Sequence, residues 1–252
     1  MINKKPQENS INNERVNRED KKILIFEEKI KNKNTKRLIG KIIPYILIPF
    51  MAICSIVAIF TDLKFFTWVW CVSQVFLLWI AADFISGIVH WWEDTYGNPN
   101  WPIIGKYIVK PNLIHHKEPN KMLEKPYWRR ISTSLITGVI IGVIFWLTGL
   151  HSWQIFVCLL FAIHGNQIHA MTHRPDHLNG KVIIFLQKTG ILQSKKAHRW
   201  HHKAPYETNF CVMSDFTNPI LNKIEFWKKL ERMILKLFKI DVLRSSSTRD
   251  GL

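Results

Sequence analysis

The chain has 252 residues, a formal net charge of +16 and 47% hydrophobic side chains. That length suits one domain with a sizeable core, and the gathering of the apolar residues into long uncharged runs excludes an ordinary soluble protein. In a soluble chain +16 suggests nucleic acid; here the Lys and Arg flank membrane-length runs and set topology, so no nucleic-acid partner is expected.

Residues 1–41 hold twelve Lys/Arg against six Asp/Glu and are rich in Asn. This predicts a basic, disordered cytoplasmic tail, not a secretory signal, whose apolar stretch would begin much earlier. Residues 42–60 form an uncharged apolar run. Residues 65–82 form a second, whose helical register continues through Asp83 to His90 and Trp92. The third lies at 131–147, and residues 153–163 open a fourth that reaches His169 if Gly165-Asn166-Gln167 stays helical. A bilayer core takes about 17–25 residues. The expected spans are therefore 42–60, 65–90, 131–148 and 153–169, within a membrane domain over 42–243 and followed by a short tail, 244–252.

The two short connectors, 61–64 and 148–152, hold one basic residue between them, Lys64. By the positive-inside rule both termini and the long middle loop are cytoplasmic. The expected fold is an all-α integral membrane protein, four transmembrane helices under a cytoplasmic histidine-rich cap. Its membrane would be the endoplasmic reticulum in a eukaryote and the inner (plasma) membrane in a bacterium. Residues 182–192 read as a short interfacial or re-entrant helix. Residues 219–243 read as a basic amphipathic helix, lying on an anionic membrane surface or packed on the cap. The four cysteines, Cys54, Cys71, Cys158 and Cys211, have no metal-motif spacing and read as reduced.

Eight of the eleven histidines fall into four tight groups at the cytoplasmic ends of these runs. His90 and Asp94 are four apart and share a helix face, with Asp83 seven residues earlier on the same face. An ionisable group inside a membrane helix is costly and marks a site by default. His115 and His116 are adjacent; on a helix they point about 100° apart and so serve two metals or bracket one. His169 and His173 repeat the four-residue spacing, with Asn166 and Gln167 placed to hydrogen-bond a ligand or its support. His198 shares a face with both His201 and His202. Eight imidazoles and one carboxylate exceed the four ligands of a structural zinc and suit two metal ions with open positions. Imidazole without thiolate fits iron, copper or zinc, and two ferrous irons allow oxygen chemistry on an unactivated C–H bond. His151, on the opposite side, His164, off the ligand face, and His177, in a turn, are left out of the set.

In order along the chain, these groups resemble the membrane lipid desaturases, the family that includes plasmanylethanolamine desaturase (the Kua proteins) and the plant trans-3 phosphatidylglycerol desaturase. The resemblance is carried by Ala82-Asp83-Phe84-Ile85-Ser86-Gly87-Ile88-Val89-His90-Trp91, Asp94-Thr95-Tyr96-Gly97, Pro102-Ile103-Ile104-Gly105, His115-His116, Asn166-Gln167-Ile168-His169 with His173, His198 with His201-His202, and Pro205-Tyr206-Glu207-Thr208-Asn209-Phe210-Cys211. It covers residues 79–231. It implies a di-iron desaturase that uses O2 as co-substrate and draws electrons from a small haem or iron–sulfur carrier protein, acting on a membrane phospholipid. His90, His115, His116, His169, His173, His198, His201 and His202 would be catalytic metal ligands. Asp94 stands where the wider class has the second His of its first box, and Asn112 where the second box begins with His.

The chain departs from the plasmanyl-type pattern at residues 126–133 and at Ser214-Asp215, so ether-chain and acyl-chain substrates both stay open. The depth of the histidines favours carbons close to the glycerol. Arg129, Arg130, Lys110 and Lys203 are candidates to hold a lipid phosphate, and Glu207 is a candidate to support a metal ligand or to touch substrate. Three functions follow: a vinyl-ether-forming desaturase, an acyl-lipid desaturase or hydroxylase, and, from a different class, a zinc-binding membrane hydrolase or non-catalytic scaffold.

Overall fold

The computed structural model describes residues 40–53, 55–57 and 68–243. The expected tails, residues 58–67 and Cys54 lie outside the described residues. The chain divides into two units at Tyr45–Ile46, and the second, Ile46–Leu252, contains every histidine. The described residues are all-helical, without a strand. Four helices are long and apolar enough to cross a membrane: α1 (Gly40–Val57), α2 (Val69–Thr95 of the longer Trp68–Thr95), α4 (Tyr127–Leu147) and the Trp153–His173 stretch.

Helix α2 has 28 residues, about 42 Å at 1.5 Å per residue, against a bilayer core of about 30 Å. The surplus carries His90 and Asp94 to its last turns. The fourth span is two helices, α5 (Trp153–Ile163) and α6 (Gly165–His173), joined at His164. Gly165-Asn166-Gln167 stays helical, so the run continues past His169 to His173.

Helix α2 runs parallel to α5–α6. Gln154 donates to Gln74 near one end (3.0 Å), Trp79 packs edge-on to Phe161 (5.1 Å), and the ring centroids of His90 and His169 are 5.5 Å apart at the other end. Helix α4 packs antiparallel to them: Ser134 donates to the Ile163 carbonyl (2.8 Å), and an added Cβ on Gly142, two turns further on, would sit 3.6 Å from Leu159, one turn earlier on α5. This arrangement brings the ends of α2 and α6, and the start of α4, to one level.

Smaller helices complete the histidine end: α3 (Lys110–Lys117), α7 (Asp176–Lys188, kinked at Gly180), α8 (Lys195–His201), α9 (Thr217–Lys223) and α10 (Phe226–Phe238). The single amphipathic helix expected over 219–243 is instead α9 and α10, broken at Glu225, which adopts a left-handed conformation (φ 52°). The break turns Trp227 into a buried aromatic cluster with Trp91, Tyr96 and Phe210. Burying that indole outweighs continuing the helix, since a large aromatic removes about 150–250 Å² from water.

Candidate metal centre

Each histidine reaches the centre from a helix shaped by its local sequence. On α2, His90 and Asp94 lie one turn apart on one face. The chain then doubles back through 96–109 so that α3 returns against α2. Gly97 makes this return possible, because a Cβ there would lie 2.5 Å from the Glu93 carbonyl and 2.8 Å from Val109. On α3 the adjacent His115 and His116 diverge. The short α8 is capped by Ser194, whose hydroxyl accepts from the Ala197 N–H (3.1 Å), and presents His198 and His201 inward.

Nine side chains converge in two groups. His115, His169, His173, His198 and His202 form one; His90, Asp94, His116 and His201 form the other. Within each group the candidate ligand atoms lie within 4.8 Å of one another. The groups abut: ring centroids are 5.0 Å apart for His116–His202 and 5.7 Å for His198–His201. The adjacent pair therefore splits, His115 to one group and His116 to the other, the two-metal arrangement among those their spacing allows.

In the five-histidine group, His198 Nε2 lies 2.9 Å from His169 Nε2, 2.8 Å from His173 Nε2 and 2.9 Å from His202 Nε2. A nitrogen with one proton or one lone pair cannot satisfy three such neighbours by hydrogen bonding. A cation among them can, since metal–nitrogen bonds of about 2.1 Å put adjacent ligand atoms about 3 Å apart. Both ring nitrogens of His115 are buried and find no hydrogen-bond partner among the described residues. Burial and the neighbouring imidazoles hold His115, His198 and His202 well below the ordinary histidine range. They are neutral at pH 7, the form that binds metal.

In the mixed group, Asp94 Oδ1 lies 2.9 Å from His116 Nε2, and Oδ2 lies 3.3 Å from His201 Nε2 and 3.5 Å from His90 Nε2. His201 Nδ1 donates to the Thr208 carbonyl (3.0 Å), which leaves Nε2 as the electron-pair donor toward the group. Phe210, fully buried, stands edge-on to His201 (5.2 Å) and His90 (6.3 Å) and lines this side with hydrocarbon. The residues present fit two ions: one site of five nitrogens, one of three nitrogens and a carboxylate.

The other candidate residues behave differently. Asp83 reaches neither group; its carboxylate accepts from the Met213 N–H (2.8 Å), Ser214 Oγ (2.7 Å) and Thr217 Oγ1 (2.6 Å). Ser214 is thereby part of a structural clamp, and Asp215 Oδ1 accepts from the Ser194 N–H (2.9 Å). Asn166 is exposed and belongs to neither ligand group. Gln167 is buried but accepts from Arg130 Nε (2.8 Å), and Arg130 also donates to the Lys125 carbonyl. Arg129 is exposed and packs over Trp128, Lys203 lies over Trp200 (4.0 Å), and Glu207 pairs with Lys228 (3.4 Å). His164 is satisfied within the helix bundle, by the Leu160 carbonyl (2.8 Å) and Tyr127 Oη (3.0 Å). His151 stacks on Trp146 at the opposite end, and His177 is exposed.

Sequence reasoning passed over two supports. Asn112 Nδ2 donates to Asp94 Oδ1 (2.7 Å), and Tyr206 packs edge-on to His116 (5.1 Å). Asn112 had a signal: its spacing to His115-His116 is that of the missing box histidine. Tyr206 had none beyond its motif.

Comparison with known proteins agrees with this geometry. The lipid desaturase domain family matches residues 79–242. A probable fatty acid desaturase of Acanthamoeba polyphaga mimivirus is 35% identical over 162 residues, 64% of this chain and 80% of the viral protein. Plasmanylethanolamine desaturase 1 of Mus musculus is 33% identical over 62% of this chain, and fatty acid desaturase 4-like 1 of Arabidopsis thaliana is 29% identical over 64% of it. The matched regions span 61% of the mouse protein and 56% of the plant protein. No solved structure matches. The family match spans nine side chains gathered as two ligand sets at one end of membrane-length helices, and this chain belongs to the lipid desaturase family.

Proposed function

We propose that this chain is a di-iron, oxygen-dependent membrane lipid desaturase that forms the vinyl-ether bond of plasmalogens from plasmanylethanolamine. The observation that carries the reading is the division of eight imidazoles and one carboxylate into two adjacent ligand sets at the end of the membrane-length helices. The relatives named plasmanylethanolamine desaturase, from Mus musculus and Myxococcus xanthus, support the ether substrate. Bound iron would supply the oxidation of an unactivated C–H bond, with O2 as co-substrate and electrons from a small haem or iron–sulfur carrier protein.

The chain's own part is to hold, orient and keep dry. His115, His169, His173, His198 and His202 hold one ion, and His90, Asp94, His116 and His201 the other. Thr208 fixes the His201 tautomer. Phe210 and the packed rings exclude water from the mixed group. The ligands end α2 and α6 at the membrane boundary, so the carbons within reach are those beside the glycerol, where an alkyl ether begins. Lys110 and Arg129, exposed at this end, are the remaining candidates for the phosphate. The positive-inside distribution of Lys and Arg supports a cytoplasmic position for this end and for both termini.

The names of the viral and plant relatives favour a second reading, an acyl-lipid desaturase or hydroxylase with the same centre. Expression in a host without vinyl ethers, supplied with alkyl-ether lipid, separates the two. Acid-labile vinyl ethers are expected. New acyl double bonds or hydroxyls with unchanged ether lipids would select the second reading. Purified protein holding one zinc and no iron, with neither lipid change, would overturn both.

A further inference from the structure

Asp83 poses a question that the ligand sets do not answer. It is fully buried, seven residues before His90, and so lies about 10 Å toward the membrane interior from that ligand at 1.5 Å per residue. Its partners Met213, Ser214 and Thr217 must lie at the same depth. Other contacts put the same loops beside α2 from three residues after Asp83 to seven residues deeper than it. Trp79 Nε1 donates to the Ile191 carbonyl (3.1 Å), Ser86 Oγ accepts from the Val212 N–H (3.3 Å), and the Phe76 ring packs edge-on to Phe216 (5.9 Å). From the other side, Cys158, Phe161 and Ala162 of α5 pack on the cluster of Leu192, Val212 and Met213.

These loops cannot lie in water above the bilayer. Because Trp79 packs on Phe161, the level of Asp83 falls near the end of α5, and if the membrane ended below it the fourth span would cross with the eleven residues of α5 alone, about 16 Å, too short for a core of about 30 Å. Irregular backbone at membrane depth is tolerated only where protein satisfies its polar groups, and here it is satisfied. The Gln193 N–H donates to the Met213 carbonyl (2.8 Å) and the Asp215 N–H to the Gly190 carbonyl (3.0 Å). Gln193 Nε2 and Asn218 Nδ2 both donate to the Cys211 carbonyl (2.6 and 2.7 Å).

The outer surface of the same region is hydrocarbon. Leu178, Val182 and Phe185 on α7 are 58%, 70% and 62% exposed, and Phe216, Ile220 and Ile224 along α9 are 37%, 63% and 47% exposed. Val182 and Phe185, three residues apart beyond the kink at Gly180, share one face of α7, and the second three, spaced at four, make a single stripe along α9. Asn179 and Gln187 both donate to the Met171 carbonyl (2.8 and 3.4 Å), which keeps α7 near the histidine level while the loop after it dips. Asp176 and Lys195, at the two ends of this excursion, form an ion pair, so the chain enters and leaves on the same side.

We propose that residues 176–193 and 211–224 form a re-entrant membrane element: α7 lies along the membrane boundary, the two hydrogen-bonded loops descend to the level of Asp83, and the apolar face of α7 and the α9 stripe meet lipid acyl chains. This adds an embedded element to the four spans. Because it joins His173 to His198, it places hydrocarbon-facing surface on both sides of the five-histidine group, so lipid in that leaflet reaches the centre without leaving the bilayer. The proposal rests on the membrane reading of the helices and not on the reaction.

The test uses the full chain in proteoliposomes containing a phospholipid with a photoactivatable diazirine in mid-acyl chain, with adducts mapped by peptide mass spectrometry. Hydroxyl-radical footprinting from the water phase runs in parallel. The expected result is lipid adducts on Val182, Phe185, Phe216 and Ile220 at yields comparable to Val69 and Val72 of α2. Those residues should be protected from hydroxyl radicals, while Arg199 and Trp200 of α8 are modified from water. Lipid adducts confined to the four spans, with residues 176–224 modified from water, would overturn the proposal. Labelling needs no turnover, so a preparation that makes no vinyl ether still decides it.

Discussion

Asp94 is the one carboxylate among eight imidazoles, and Asn112 donates to its Oδ1 at 2.7 Å. Both residues occupy positions where the wider desaturase pattern has histidine, and in this fold they meet. Asn112 restrains the carboxylate so that Oδ2 faces His90 and His201. Asn112→Leu should weaken metal retention at the mixed site by about 10–100-fold, the usual cost of losing a ligand's hydrogen-bond support, with the five-histidine site still loaded. Metal analysis during chelator titration, showing one ion lost before the other, checks it; simultaneous loss of both contradicts it. At the same scale, His202→Ala should abolish lipid product, whereas His151→Ala, at an exposed ring stacked on Trp146 at the opposite end, should leave it unchanged. Product yield per milligram of folded protein measures both.

The element most sensitive to a small change is α2 where it passes residue 87. A Cβ on Gly87 would sit 2.5 Å from Cys211 Sγ and 3.2 Å from the Cys211 backbone nitrogen. The second contact is with backbone and cannot rotate away. Gly87→Ala should destabilise the protein by about 1–3 kcal/mol, the range for overpacking a core, and lower the thermal unfolding midpoint in detergent; an unchanged midpoint would mean that the 210–213 segment yields. Asp83→Ala in the same helix leaves the Met213 N–H and two hydroxyls without their acceptor, and should cost more than Gly87→Ala, because each buried unpaired donor costs about 1–3 kcal/mol. Helix existence was legible from apolar runs, since α2 and α4 bury little and owe their form to hydrocarbon length. The break at Glu225 was not. The spacing of apolar residues in 219–243 is helical on both sides of it, and only the buried Trp227 shows why the chain turns there.

At the level of the whole molecule, the centre couples metal, proton and fold. Burial holds His115, His198 and His202 well below the ordinary histidine value near 6.5. The unfolded chain takes up protons on these rings as the pH falls through about 6.5, whereas the folded chain does not until far lower. The metal-free protein should therefore be most stable above that pH and lose stability progressively below it, and a bound ion should leave over the same acid range, because the ligand is the neutral ring. Thermal midpoints of chelated and metal-loaded protein between pH 8 and 5 test this: the metal-dependent increment should shrink on acidification, and an increment that grows would refute it.

The chemistry of the donor set and its place at the ends of membrane-length helices were legible because they are local. Imidazoles four residues apart share a helix face wherever that helix sits, and an apolar run predicts its own membrane crossing. Which donors share an ion was decided only by the tertiary structure. His115 and His116 part to different groups, Asn112 finds Asp94 eighteen residues away, and Asp83, on the ligand face by spacing, is taken by a segment 130 residues later. A side chain's type and helical phase are properties of a few neighbouring residues, whereas its partner depends on how distant helices pack, and no short stretch of sequence contains that.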